Sequence, residues 1–201
     1  MQGLYISNDS GDLQISSEYQ DMALKYIKHS SNNSIRDAEL FAIRSDDNSY
    51  MSPRPPPNMG GSGYNTGSGL VYEFTINFLD VATKEKLGLE LFNTDGQTYY
   101  NSNYNSISVI DSVSIDTDTS NTIFFQKDYG DKKIAVILQK DIAYFHYQPY
   151  AQRTNVFTSV FNITSTNTLT VRMNETFAIG ANYTPPPAKR LEFLVIDVTN
   201  Y

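Results

Sequence analysis

Gly3-Leu4-Tyr5-Ile6-Ser7-Asn8-Asp9-Ser10-Gly11 and Gly88-Leu89-Glu90-Leu91-Phe92-Asn93-Thr94-Asp95-Gly96 share one pattern, G-L-x-Φ-x-N-x-x-G with Φ apolar, at a constant offset of 85 residues. Tyr19 and Tyr104 keep the same offset. A second echo pairs Glu39-Leu40-Phe41-Ala42-Ile43 with Glu175-Thr176-Phe177-Ala178-Ile179. Each of these precedes a proline triplet, Pro55-Pro56-Pro57 or Pro185-Pro186-Pro187, and then an apolar run, Glu73-Phe74 to Asp80-Val81 or Glu192-Phe193 to Asp197-Val198. N-x-x-G is turn chemistry that β-proteins reuse. Three landmarks recurring in the same order go further and point to tandem duplication.

The expected organisation is therefore all-β: two tandem, related β-sandwich-like domains, residues 1–85 and a larger copy at 86–201. Strand-length apolar segments are dense. Leu13 and Ile15 alternate with polar residues, as do Ile107, Val109, Val113 and Ile115. Ile123–Phe125, Ile134–Leu138, Ile142–Tyr147, the pairs Val156/Val160 and Leu169/Val171, and Leu191–Val198 continue the series. Strands every 8 to 12 residues between polar turns are the mark of sandwiches and small barrels. Asp80–Leu87 reads as a helical turn linking the copies. Residues 45–69 carry Pro53, Pro55, Pro56 and Pro57 and five glycines, which disfavour a ladder because Pro lacks a donor and Gly costs backbone entropy. This segment is expected to project as a long loop or arm.

Composition narrows the function. The 201 residues hold 15 Lys and Arg against 22 Asp and Glu, a net charge of −7, with no cysteine and no tryptophan. Val, Ile and Thr total 43 residues and Ala, Leu, Glu and Met total 35, so β-formers outweigh helix-formers. An acidic chain without basic clusters is a poor partner for phosphate, so nucleic-acid binding is not expected. The absence of cysteine excludes disulfides, thiolate metal sites and a Cys nucleophile. No 18-residue apolar run is present, and no membrane insertion is expected. The N-terminal residues lack a basic region leading into an apolar stretch, so no signal peptide is expected.

Catalytic chemistry finds little to stand on. His29 and His146 are far apart in sequence, and a triad needs a positioned base. Gly61-Ser62-Gly63 and Gly67-Ser68-Gly69 lack the strand–turn–helix context of a nucleophile elbow. Asp116-Thr117-Asp118 could offer two oxygens to calcium, but the further ligands and the glycine of a calcium loop are missing, and the segment reads as a hairpin tip. No phosphate-binding loop occurs. The expectation is a non-enzymatic protein with no cofactor and no metal. The remaining signal is tyrosine. Tyr99, Tyr100 and Tyr104, interleaved with Asn101, Asn103 and Asn105, suit either a sugar-binding face or a protein interface, and the lack of Trp favours the interface.

Gly3-Leu4-x-Ile6-x-Asn8-x-x-Gly11, followed by Leu13-x-Ile15 and Tyr19, resembles the small β-rich tail proteins of tailed bacteriophages, and Gly88–Gly96 with Asn101-Ser102 and Tyr104 is similar to the same element. The resemblance covers about 17 residues per copy. It implies a virion structural component at the tail tip or fibre-attachment region, synthesised in the bacterial cytoplasm. It also implies that other tail proteins are its partners and that it has no catalytic residues. A homo-oligomer, trimer or hexamer, would match two similar domains per chain to a ring-shaped tail. In that account Pro53, Arg54, Pro55, Pro56 and Pro57 form an assembly arm. The alternative is a receptor- or carbohydrate-binding module at the tail tip, with a host-surface glycan held by Tyr99, Tyr100 and Tyr104.

Overall fold

The computed structural model describes residues 5–7, 13–16, 22–31, 40–46, 49–52, 67–76, 88–92, 95–96, 98–116, 123–140, 143–148, 153–179 and 190–201. Among them every regular element is a strand. The expected helical turn at 80–87 and the arm at Pro53–Pro57 lie outside the described residues; of the hairpin tip expected at Asp116–Asn121 only Asp116 is described, as the last residue of a strand.

The repeated sequence pattern opens two hairpins. β1 (Tyr5–Ser7) pairs antiparallel with β2 (Leu13–Ser16), and β6 (Glu90–Phe92) with β7 (Thr98–Asn101). The two are alike residue for residue at the offset of 85. Tyr5↔Ser16, Ile6↔Ile15 and Ser7↔Leu13 correspond to Glu90↔Asn101, Leu91↔Tyr100 and Phe92↔Thr98, and the register slips at the same step in both.

A six-stranded antiparallel sheet follows, in the order β3-β5-β4-β10-β14-β8. Its members are β3 (Ala23–Ser31), β4 (Leu40–Ser45), β5 (Ser68–Thr75), β8 (Val109–Asp116), β10 (Ile134–Lys140) and β14 (Arg190–Asp197). Each half of this order has the same plan. β3 pairs with β5 from Leu24↔Phe74 to Ser31↔Ser68, and β8 pairs with β14 from Val109↔Ile196 to Asp116↔Arg190. β4 and β10 lie on the inner sides of β5 and β14 and meet each other at Ile43↔Val136. Strands from residues 1–85 and 86–201 thus share one six-stranded sheet, and both stretches contribute side chains to each of the cores on its two faces.

The edge strands also approach each other. Ala23 bridges Ser106, Leu24 N donates to Asn105 O at 2.9 Å, and Ile107 N donates to Met22 O at 3.3 Å, so the sheet closes on itself at this end.

A four-stranded sheet is inserted into the second half, in the order β11-β12-β13-β9, from β9 (Ile123–Asp128), β11 (Ala143–Gln148), β12 (Arg153–Ile163) and β13 (Thr168–Ile179). Strand alternation of period two sorts the side chains between two cores. Ile43, Val71, Val136, Phe193 and Val195 of the larger sheet bury against Phe161, Ile163, Leu169 and Val171 of the smaller one. Phe193 meets Phe161 and Phe125 edge to face, with ring centroids 5.3 and 5.6 Å apart, a favoured aromatic geometry. On the opposite face Ala42, Tyr72, Phe74, Ala135, Ile137 and Ile196 form a second core. Tyr201 packs on Tyr72 and Phe74 there, and its hydroxyl donates to the Ser106 carbonyl.

Three details depart from the sequence expectation. The strand placed at Glu73–Val81 runs from Ser68 to Thr75, because Leu70, Tyr72 and Phe74 alternate into the second core. Residues 175–179 belong to β13 of the inserted sheet, whereas 40–45 form β4 of the larger one, so that sequence echo does not mark equivalent strands. The 45–69 segment holds structure at both ends. Met51 and Phe161 exchange two backbone hydrogen bonds of 2.8 Å, Ile163 N donates to Ser45 Oγ at 2.6 Å, and Met51 and Ser52 are buried.

Candidate functional site

The β6–β7 hairpin holds the described side chains among the tyrosines singled out from sequence. Its geometry is set locally. Gly96 sits at φ +76°, in the left-handed region that a β-carbon disfavours. A β-carbon on Gly88 would lie 2.6 Å from Ser102 Oγ, too close to fit without a shift. Leu89 N donates to Ser102 Oγ at 2.8 Å, Ser102 N returns a bond to Leu89 O at 2.9 Å, and Asn103 N donates to Asn101 Oδ1 at 2.9 Å. Thr98 Oγ1 donates to Glu90 Oε1 at 2.8 Å across the pair. The hairpin is thus held by its own polar groups. Its apolar side chains are displayed instead: Leu89 is 48% and Phe92 56% exposed.

Tyr100 and Tyr104 are half-buried on this hairpin and the turn that follows it. Burial raises the Tyr104 phenol, and the charge of Glu90 adds to the rise. Both effects keep it protonated, able to donate as well as accept a hydrogen bond. Tyr99 belongs to β7 by its backbone, and its side chain is outside the described residues. Pro53, Arg54, Pro55, Pro56 and Pro57 are outside them too.

The titratable groups elsewhere serve as ties between strands. The Ser68 hydroxyl donates to Asp46 at 2.7 Å, and His29 Nε2 lies 2.9 Å from the same oxygen. The Ser68 bond lowers the Asp46 carboxyl, burial works against it, and His29 adds to the lowering. Burial raises Asp111, but Lys127 at 2.8 Å and Tyr129 at 2.7 Å outweigh it and hold the carboxyl below the ordinary range. Burial and the Asp111 charge together push the Tyr129 phenol far up. Among the described residues no group of three or more His, Cys, Asp and Glu is arranged to hold a metal ion.

Two structural residues carry no signal in the sequence. His29 lies in β3, a strand whose Lys25, Lys28 and His29 mask its periodicity. Arg44 on β4 donates to Ile134 O at 2.9 Å and to Asn167 Oδ1 at 3.0 Å, joining the two sheets. Asn167 holds φ +60° and in turn donates to Gly130 O at 2.9 Å.

The chain matches no protein-family model, no curated protein and no solved structure.

Proposed function

We propose that the protein is a non-enzymatic structural subunit of a bacteriophage tail, at the tail tip or fibre-attachment region. On this reading it is made of two tandem copies of one β-unit, each a hairpin followed by three sheet strands, fused edge to edge through β4 and β10. The observation that carries it is the repeated hairpin. The element whose sequence is similar to that of phage tail proteins occurs twice, with the same register and the same slip. In the copy whose side chains are described, it spends no polar group on chemistry and turns Leu89 and Phe92 outward.

Two carboxylates are engaged in holding the fold. Asp46 and Asp111 are held low by hydrogen-bond donors, the opposite of the raised carboxyl that a general acid requires. In this account other tail proteins and further copies of the chain are the partners, and Pro53–Pro57 belong to an assembly arm. The test is to purify particles encoding the protein and to look for it by mass spectrometry and labelled-antibody electron microscopy. The reading expects it in the tail, and its absence from washed particles refutes the assignment.

Tyr100 and Tyr104, both partly exposed on this hairpin, keep a receptor- or carbohydrate-binding reading in view. Glycan binding lost on Tyr100→Ala or Tyr104→Ala would favour it over a purely structural role.

A further inference from the structure

Arg44 and Arg190 have partners for their guanidinium groups, Ile134 O and Asn167 Oδ1 for the first, Ser114 and Glu192 for the second. Arg172 differs. Its Nε is buried with no hydrogen-bond partner, and among the described residues no ion pair joins it to a carboxylate. Buried donors without a partner are rare in folded proteins. A cation partly stripped of water is costly unless an anion meets it.

The fold places this side chain deliberately. On β13, Val171 and Met173 turn into the core between the sheets, so Arg172 faces outward. It stands between Val160 of β12, which is fully buried, and Ile123 of β9, which is 54% exposed. The register of β9 slips at this step and leaves Phe124 unopposed; such bulges re-aim side chains and recur beside functional sites. The guanidinium lies over the Tyr50 ring, its Cζ 3.7 Å from the centroid, a cation–π contact. Tyr50 is clamped on both sides. Met51 exchanges two backbone hydrogen bonds with Phe161, Ser49 O accepts from Asn162 Nδ2 at 2.6 Å, and Ser49 Oγ accepts from Ser68 N at 2.8 Å. In the adjoining row of the same face Asn162, Thr170 and Gln126 stand in line, all uncharged, with Gln126 exposed.

We infer that Arg172, stacked on Tyr50, is the anchor of a binding site for the carboxylate of an acidic sugar on the outer face of the four-stranded sheet. The guanidinium fork matches a carboxylate with two parallel hydrogen bonds. Arg172 is partly exposed, so its outer edge is open to a ligand. The clamped ring holds that edge in place, which keeps the ordering cost of binding low. The amides and hydroxyl of the adjoining row suit sugar hydroxyls rather than a second charge. With a net charge of −7 the chain as a whole repels anions, so binding depends on this guanidinium. The site uses no residue of the β6–β7 hairpin and stands independently of the structural-subunit reading.

The test is a nuclear magnetic resonance titration of the isotope-labelled whole chain with glucuronate, glucose, N-acetylglutamate and inorganic phosphate. Glucuronate is expected to shift the Arg172 Nε–H signal and the amides of Ile123, Val160 and Gln126 and to saturate. Glucose, which lacks the carboxylate, is expected to bind at least about tenfold more weakly. Arg172→Lys keeps the charge and loses the fork, and is expected to weaken glucuronate binding by about tenfold or more with unchanged circular dichroism. If that variant misfolds, Ile123→Glu replaces it: the exposed position opposite Arg172 then supplies a carboxylate of its own, which is expected to compete with glucuronate. Absence of a saturable shift with glucuronate overturns the site. Wild-type affinity in Arg172→Lys or Ile123→Glu overturns the role of Arg172. N-acetylglutamate binding as tightly as glucuronate overturns the sugar assignment, and phosphate doing so overturns the carboxylate. Particle incorporation decides the subunit reading separately.

Discussion

Arg44→Met removes a side chain that spans the two sheets while keeping most of its volume. Its guanidinium donates to the Ile134 carbonyl at 2.9 Å and to Asn167 Oδ1 at 3.0 Å, both partly buried. Hydrogen bonds from a charged group contribute about 1.5–3 kcal/mol each in such settings, and part of the loss is recovered as methionine fills the space. Two bonds lost give a destabilisation of about 2–4 kcal/mol. For a chain of 201 residues this lowers Tm by roughly 4–16 °C. Urea unfolding followed by tyrosine fluorescence and by far-ultraviolet circular dichroism measures it. The account expects one transition, displaced in the same way by both probes, because β4 and β10 share a sheet and a core. A shift below about 0.5 kcal/mol would refute the bridging role of Arg44. Two separate transitions would refute the shared core.

Phe193→Ala opens a cavity between two edge-to-face rings, Phe125 and Phe161; thermal denaturation should show a loss of about 3–5 kcal/mol. Gly96→Val forces a branched residue into φ +76°, so amide exchange in β6 and β7 should speed up while the exchange of β10 and β14 stays unchanged, since the hairpin is its own unit. Asp46 and Asp111 have carboxyls held below their ordinary value of 3.8. A depressed carboxyl stabilises the fold above its unfolded pKa and ceases to do so as pH falls through the folded one. Stability should therefore be level down to about pH 5 and decline below about pH 4, and Asp111→Asn should flatten that decline in an acid titration of Tm.

How much of this was legible in the sequence differs from element to element. β10 and β14 were plain because Ile134–Leu138 and Leu191–Val198 face a core on both sides, which leaves a continuous apolar run. Near β6 and β7 the sequence offered only the turn chemistry of N-x-x-G, whose last residue, Gly96, holds φ +76°. β3 was not legible, because an edge strand is under less demand for burial on its outer side and carries Lys25, Lys28 and His29. The joining of the halves could not be read at all. It depends on which edge β4 presents to β10, a non-local pairing that leaves no local pattern in either segment. The Met51↔Phe161 bridge is of the same kind: a single pair far apart in sequence, next to prolines that argue against pairing. Of the tyrosines, sequence grouped Tyr99, Tyr100 and Tyr104 by proximity, and the structure places Tyr100 and Tyr104 partly exposed on the hairpin and its turn. Leu89 and Phe92, the residues most displayed there, read from sequence as ordinary strand apolars. Only their exposure sets them apart.

The most direct measurement is an electron-microscopy reconstruction of a particle that contains the protein. The account predicts this chain in the tail, in contact with other tail proteins or with further copies of itself. A reconstruction in which the protein is missing from the tail would contradict it.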